Sequence, residues 1–457
     1  MPPRFGTVVL ILIVLATACG GDSSKPNATP TPMAPSGPTP TSTPTYEGSI
    51  KPGAWVRVAG VDGCLNLLFS AGLSDAIPVN YCQPNGYEGY VAGAPVFSDG
   101  HWWWEIAGQG WTRDDFLQFV RSEDLERRMV PELGGLGQIA YVGADGGIWV
   151  MDADGSEKTR LVEPPAAGSD TYIGSPQWRP DGQQLLYETS HRGRDQATFD
   201  LRIIDLNGRP IRTIPNVSSA SWSPDGTRLG LLAGIVEIAI NMRATPAVLD
   251  LATGGLTSIG PLVFYVEGPK WRPNGQELVL ENEEGLSLAQ ADGSGGRLLM
   301  ASTDLAGRVP NWSPDGTTLS LQGYGDGCEG YILYNVDAGA TTLCAPVPPG
   351  DTRRGGRGGW SEDGQTDWSP DGRLFAYHTE WGVVDTSGVY IVDAVSGEQT
   401  LLPGWASAYT GFAPDNQLVV FETHNGGHSF IWAGNAETGE VTLLTEGSQP
   451  VWRPVID

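Results

Sequence analysis

Histidine and cysteine are scarce in this 457-residue chain, five of each, and its 27 Lys plus Arg stand against 53 Asp plus Glu. A net charge of −26 argues against nucleic acid as a partner, because a phosphate backbone would be repelled and not neutralised. Acidity of this kind serves solubility. The histidines (His101, His191, His378, His424 and His428) lack metal-ligand spacing, although His424 and His428 share one polar hairpin tip. No C-x-x-C pair suggests zinc. No G-x-S-x-G elbow, H-E-x-x-H helix or phosphate loop is present. Asp152 and Asp154 lack the rest of a calcium loop and read as a turn. No cofactor or metal is expected, and no catalytic residue can be named.

What the chain does have is one motif, many times over. Trp178-Arg-Pro-Asp-Gly182 returns as Trp222-Ser-Pro-Asp-Gly226, Trp271-Arg-Pro-Asn-Gly275, Trp312-Ser-Pro-Asp-Gly316 and Trp368-Ser-Pro-Asp-Gly372. A degraded copy starts at Phe412, and a truncated one at Trp452. The spacings are 44, 49, 41, 56, 44 and 40 residues, and a period of this length means a propeller or a similar array. Proline presets the first corner of a turn, Asp or Asn bonds its own backbone, and Gly takes the positive φ. The aromatic ends a strand and offers a flat surface for burial against the next unit. An apolar strand leaves each turn, as in Leu185-Leu-Tyr187 and Leu418-Val-Val-Phe421.

These residues resemble the TolB-like, WD-like β-propeller repeat, over about 138–455. The strand and D-A-D-G turn Ile148–Gly155 matches the group's later strand. The resemblance implies an all-β fold but no activity, since propellers host unrelated functions. The first strand, 138–142, has no motif turn before it, and Trp452 has no strand after it. If residues 450–452 join the first unit, seven four-stranded blades result, with six as the alternative, and closure removes the sheet edges.

Arg4, the apolar run 8–16 and Ala16-Thr-Ala-Cys19 read as an export signal. The run is shorter than the about 20 residues of a membrane-spanning helix. The small residues before Cys19 resemble a lipobox, with Ala16 where Leu is usual, which implies a lipid on Cys19; ordinary cleavage near Ala18 is the alternative. Residues 19–48, rich in Pro and Thr, read as a stalk, and some 25 residues of such chain reach roughly 75 Å. The other cysteines form two local pairs, Cys64 with Cys82 and Cys328 with Cys344, expected as disulfides in an exported chain or else as buried thiols.

Residues 49–118 alternate like a small β-barrel. Val56-Arg-Val58, Cys64-Leu-Asn-Leu67, Cys82–Gly86 and Trp103 or Trp104 through Gly110-Trp-Thr112 resemble a bacterial SH3-like domain, with Leu68 where that family often has arginine. The family implies binding of peptidoglycan or peptides. Trp103 cannot share a strand face with both Trp102 and Trp104, so Trp102, Trp103, Trp104, Trp111 and Tyr81 are the candidate ligand-binding residues, with a tryptophan-rich core as the competing reading. Residues 119–137 read as a linker with a short helix opened by Ser122. Arg353, Arg354 and Arg357 lie in a glycine-rich insertion that suits an anion or partner contact, or simply a solvated loop.

The expected organisation is a signal peptide (1–18), stalk (19–48), SH3-like domain (49–118), linker (119–137) and propeller (138–457). The expected role is that of an extracytoplasmic, membrane-anchored scaffold whose partner is peptidoglycan or an unidentified protein. The alternatives are a hydrolase or lyase acting on saccharide or peptide in the propeller channel, and a secreted carbohydrate-binding protein without the lipid.

Overall fold

The structure is a computed structural model describing residues 46, 48–51, 54–60, 64–68, 71, 78–84, 88–91, 95–106, 110–122, 137–192, 197–238, 241–264, 267–301, 310–325, 328–346, 366–379, 388–403, 406–425 and 428–454. Strands dominate, and the one helix among the described residues is a 3-10 turn, Asp114–Phe116. Residues 54–122 make two antiparallel sheets. One orders Glu88–Tyr90, Ala54–Val58 and Leu117–Ser122. The other orders Pro78–Pro84, Cys64–Leu68, Gly110–Arg113, His101–Ile106 and Val96–Ser98. Alternation along Ala54, Val56 and Val58 puts all three inside, where Ala54 and Val56 meet Val91, Trp104 and Ile106. The expected end of this unit, at 118, is corrected: Leu117–Ser122 is a strand. Phe119 lies opposite Val56 and Leu117 opposite Val58, and such apolar cross-strand pairs favour sheet over helix at Ser122. The rest of the expected helix, 123–128, lies outside the described residues.

From Gln138 onward one unit repeats. In the Trp178 sheet, Thr171–Trp178, Gln184–Arg192, Ala197–Asp205 and Pro210–Pro215 pair in chain order, all antiparallel. The first strand ends on the motif aromatic, and the turn glycine has the positive φ expected of it (62° at Gly182, 67° at Gly226). The sheets named here by Trp222, Trp271, Trp312 and Trp368 repeat the plan, the Trp222 sheet with an extra strand, Val263–Phe264. Second strands read as continuous apolar runs because both of their faces are buried. Leu185 and Tyr187 face the preceding sheet and Leu186 the following one; Val419 and Phe421 are likewise divided from Leu418 and Val420.

The first and last strands of the repeat meet. Val441–Trp452 is a single strand whose first half pairs with His428–Asn435 and whose second half pairs with Gln138–Gly143. Trp452 lies opposite Ile139, the pairing anticipated from the two incomplete motifs. Each sheet shares one apolar cluster with the sheet before it and one with the sheet after it, and the Phe412 and Trp452 sheets share the cluster that completes the circuit. This is a β-propeller. The motif tryptophans reach backward, contrary to the expected burial against the next unit: the indoles of Trp178, Trp312 and Trp452 donate to the carbonyls of Val451, Lys270 and Gly411.

Candidate functional site

In the small β unit, the Trp102-Trp103-Trp104 strand divides as its alternation requires. Trp102 and Trp104 share a face, and Tyr46 sits edge-on to both, with ring centroids 5.4 and 5.1 Å away. Trp103 and Trp104 are buried, at 2% and 0% exposure, and offer no ring to a ligand. That corrects the candidate list. Trp104 belongs to the core, and the Trp103 indole donates to the Ser98 carbonyl within the hairpin, so both faces of the strand are covered. Trp102 is half-buried and meets Phe97 edge-on at 5.1 Å. Phe97 and Val96 are exposed and sit on the last strand of their sheet. Trp111 is half-buried opposite Glu105. The side chains of Tyr81, Cys64 and Cys82 lie outside the described residues, although the strands carrying the two cysteines are paired. Burial raises the pKa of the Tyr46 phenol, which therefore stays neutral. What results is an aromatic edge of Phe97, Trp102 and Tyr46, in which the sequence reading found Trp102 and missed Phe97.

A second polar feature rings the propeller. The first strands touch one another around the circuit. Residues just before the motif aromatic bridge them: Gln177 to the Ala220 carbonyl, Ser221 to Pro269, Asn311 to Thr366, and the Phe412 amide to the Asp367 carboxylate at 2.8 Å. Three residues before the aromatic, the strands bulge, with Ser175, Ser219 and Gln449 at φ of 53°, 49° and 53°. A bulge leaves an amide without its ladder partner. Ser219 donates that amide to Glu188 Oε2 at 2.9 Å, Gln449 donates to Glu422 Oε2 at 2.9 Å, and Ser175 donates to the Gln449 side chain.

Glu188 and Glu422 each stand ten residues after a motif aromatic. Glu281, Gln322 and His378 hold the same position in their own repeats. Leu232 breaks the series, and the sheet that follows it has Gly268 at the bulge position. Burial raises the Glu188 carboxyl above the ordinary range against the pull of the Ser219 amide, with Glu267 adding to the rise. Burial lowers the His378 pKa to about 4 and raises that of Asp367 to about 6. Among the described residues, no group of three His, Cys, Asp or Glu side chains could hold a metal ion. The turn motif alone does not reveal this ring; its sequence signal is the polar residue ten positions past the aromatic.

The remaining candidates are local. Asp154 accepts the Ser156 amide, as a turn residue does. His428 Nδ1 lies 2.9 Å from Glu446, while the side chain of His424 is outside the described residues. Cys344 is disulfide-bonded. Cys19, Arg353, Arg354 and Arg357 lie outside the described residues, as does the side chain of Cys328. No helix among the described residues is long and apolar enough to cross a membrane.

No family model matches the chain. An uncharacterized protein of Agrobacterium fabrum, Atu1656, is 25% identical over 222 residues, 47% of this chain and 70% of that protein. TolB from Acinetobacter baumannii is similar in structure, with a TM-score of 0.41 and 17% identity over 78% of this chain and 79% of that one. Oligogalacturonate lyase from Vibrio parahaemolyticus gives 0.46 and 13%, over 64% and 84%. Likenesses this distant assign this chain neither an activity nor a partner.

Proposed function

We propose that this chain is an exported, lipid-anchored binding scaffold without catalysis. Cys19 carries the lipid after removal of residues 1–18, and residues 19–48 are the stalk. Residues 49–118, with the strand to Ser122, form an SH3-like module that binds cell wall or peptide. Residues 138–457 form a TolB-like propeller of seven blades that serves protein interaction. The blade number is supported by counting Gly447–Trp452 with the strands of 138–162 and the first half of the same long strand with those of 406–435. Disulfides join Cys64 to Cys82 and Cys328 to Cys344; the bonded state of Cys344 and the pairing of its strand with Cys328–Asn335 support the second.

The observation that carries the binding reading is the Phe97–Trp102 edge, an exposed phenylalanine against a half-buried tryptophan at a sheet margin. Aromatic edges of this kind stack on sugars or grip peptides. The alternative, a hydrolase or lyase in the channel, is less favoured because Glu188 and Glu422 engage backbone amides and are not held ready for a substrate. Co-sedimentation of residues 46–457 with purified peptidoglycan tests the reading. Trp102→Ala and Phe97→Ala should each weaken binding by about tenfold, the worth of one aromatic contact, while leaving the fold intact. Pelleting that is absent, or that is unchanged in both variants, sinks the wall-binding role.

A further inference from the structure

Four successive junctions between the motif turns are each closed by an arginine. Arg453 Nε donates to the Gly182 carbonyl at 2.8 Å, Arg179 Nε to Gly226 at 3.0 Å, Arg228 Nη2 to Gly275 at 2.7 Å and Arg272 Nε to Gly316 at 2.7 Å. In every case the acceptor is the turn glycine of the following sheet. Three of these guanidiniums also lie over that sheet's tryptophan: Arg453 over Trp178 at 5.3 Å, Arg228 over Trp271 at 4.6 Å and Arg272 over Trp312 at 5.3 Å. Acids pair with two of them: Asp181 with Arg179, and Glu277 and Asp337 with Arg272.

The arginine arrives by two routes. Arg453, Arg179 and Arg272 directly follow the aromatic, whereas Arg228 comes six residues after Trp222. Two sequence positions thus deliver the same group to the same place, so the place itself is built for a guanidinium.

At the next junction both routes fail, because Ser313 follows Trp312 and Thr318 stands six residues on. There a solvent-open cleft of about 180 Å³ lies between the turns, its walls including Ser313, Asp315, Thr318, Trp368, Asp371 and Gly372. The tryptophan, the glycine and the turn aspartate are retained, Asp315 standing where Asp181 stands beside Arg179, and among the described residues no arginine lines the junction. One junction further on, Asn416 stands in the position of the turn glycine, and its side chain accepts the Asp371 amide at 2.8 Å.

We propose that this cleft binds a guanidinium group from outside the chain, presented against Trp368, donating to the Gly372 carbonyl and neutralised by Asp315 and Asp371. The site would give the scaffold a chemically defined contact, but its occupancy is tested without reference to cell-wall binding. The full chain is labelled with 5-fluorotryptophan, and the Trp368 resonance is assigned by its loss in Trp368→Phe. N-acetyl-arginine amide should shift that resonance saturably, and the lysine counterpart should bind at least about tenfold more weakly, since an ammonium lacks the planar fork. Ser313→Arg and Thr318→Arg reproduce the two internal routes; each should abolish the response and raise the thermal midpoint by filling the cleft. A pentapeptide with a central arginine separates the sources. Tighter binding than the amide assigns the group to a polypeptide, and equal binding assigns it to a small guanidine compound. No saturable shift, an equal response to lysine, or an undiminished response in a folded arginine variant overturns the proposal.

Discussion

At the scale of single residues, the Trp368 sheet holds a buried histidine and a half-buried aspartate whose effects on stability oppose each other. Asp367 has its folded pKa raised by burial to about 6 from 3.8, so its folded state holds a proton more tightly than the unfolded chain does. Its contribution is therefore greatest below 3.8 and is lost as pH rises through 6. His378 has its folded pKa lowered by burial to about 4 from 6.5; its contribution is complete above 6.5 and is lost as pH falls toward 4. Between pH 4 and 6 the slopes oppose, each at most about 1.4 kcal/mol per pH unit, and nearly cancel. Substituting either residue should unmask the other. Relative to the native chain, His378→Gln should gain about 1–3 kcal/mol on going from pH 6.5 to 4.5, and Asp367→Asn should lose a similar amount. Gln is a fitting replacement because Gln322 occupies the same repeat position one sheet earlier. Urea unfolding at the two pH values measures both, and shifts of the same sign would refute the pairing.

At the scale of the element, each bulged first strand needs an acceptor from its neighbour, and the repeat supplies one where it must. Glu422 is 6% exposed and accepts both the Gln449 amide and the Ser429 hydroxyl. Glu422→Leu leaves the amide unsatisfied and should cost about 1–3 kcal/mol. Glu422→Gln keeps an acceptor and should cost clearly less. Equal thermal midpoints for the two variants would remove the acceptor role. The series is broken at the apolar Leu232, and in the sheet that follows it Gly268 stands three residues before the aromatic. A Cβ there would fall 1.6 Å from the Ser219 carbonyl oxygen, a backbone atom that cannot swing aside. Gly268→Ala should thus lower the thermal midpoint even though alanine adds only a methyl group; an unchanged midpoint would show that the two strands can part. The turns and the apolar second strands were legible in the sequence because Trp, Pro, Asp and Gly each act locally. The acceptor ring was not, because its reason lies in a different sheet. Val96–Ser98 and Leu117–Ser122 escaped notice for the same cause: their strand character comes from Trp103 and Val56 across the ladder.

At the scale of the whole molecule, the propeller depends on a single strand that belongs to two sheets. Closure was readable from two incomplete motifs, whereas the cleft beside Trp368 was not, since it shows only when the four preceding junctions are seen to be closed by arginines. Deleting residues 447–457 takes away the ladder along Gln138–Gly143, the 7%-exposed Trp452 with its bond to Gly411, and Arg453 with its bond to Gly182. Loss of a buried tryptophan alone costs about 3–5 kcal/mol. The deletion also opens two apolar clusters at once, the one shared with the Phe412 sheet and the one shared with the Trp178 sheet. It therefore exposes a strand edge at Gln138–Gly143 that can pair with other chains. The truncated chain should unfold at least about 10 °C lower, or in more than one step as cooperativity between its ends is lost, and should self-associate. Trp452→Ala, which keeps the ladder, should lower the midpoint without inducing association. Calorimetry and light scattering separate the two: if the deletion behaves like the point variant, the ring is held by the indole and not by the shared strand.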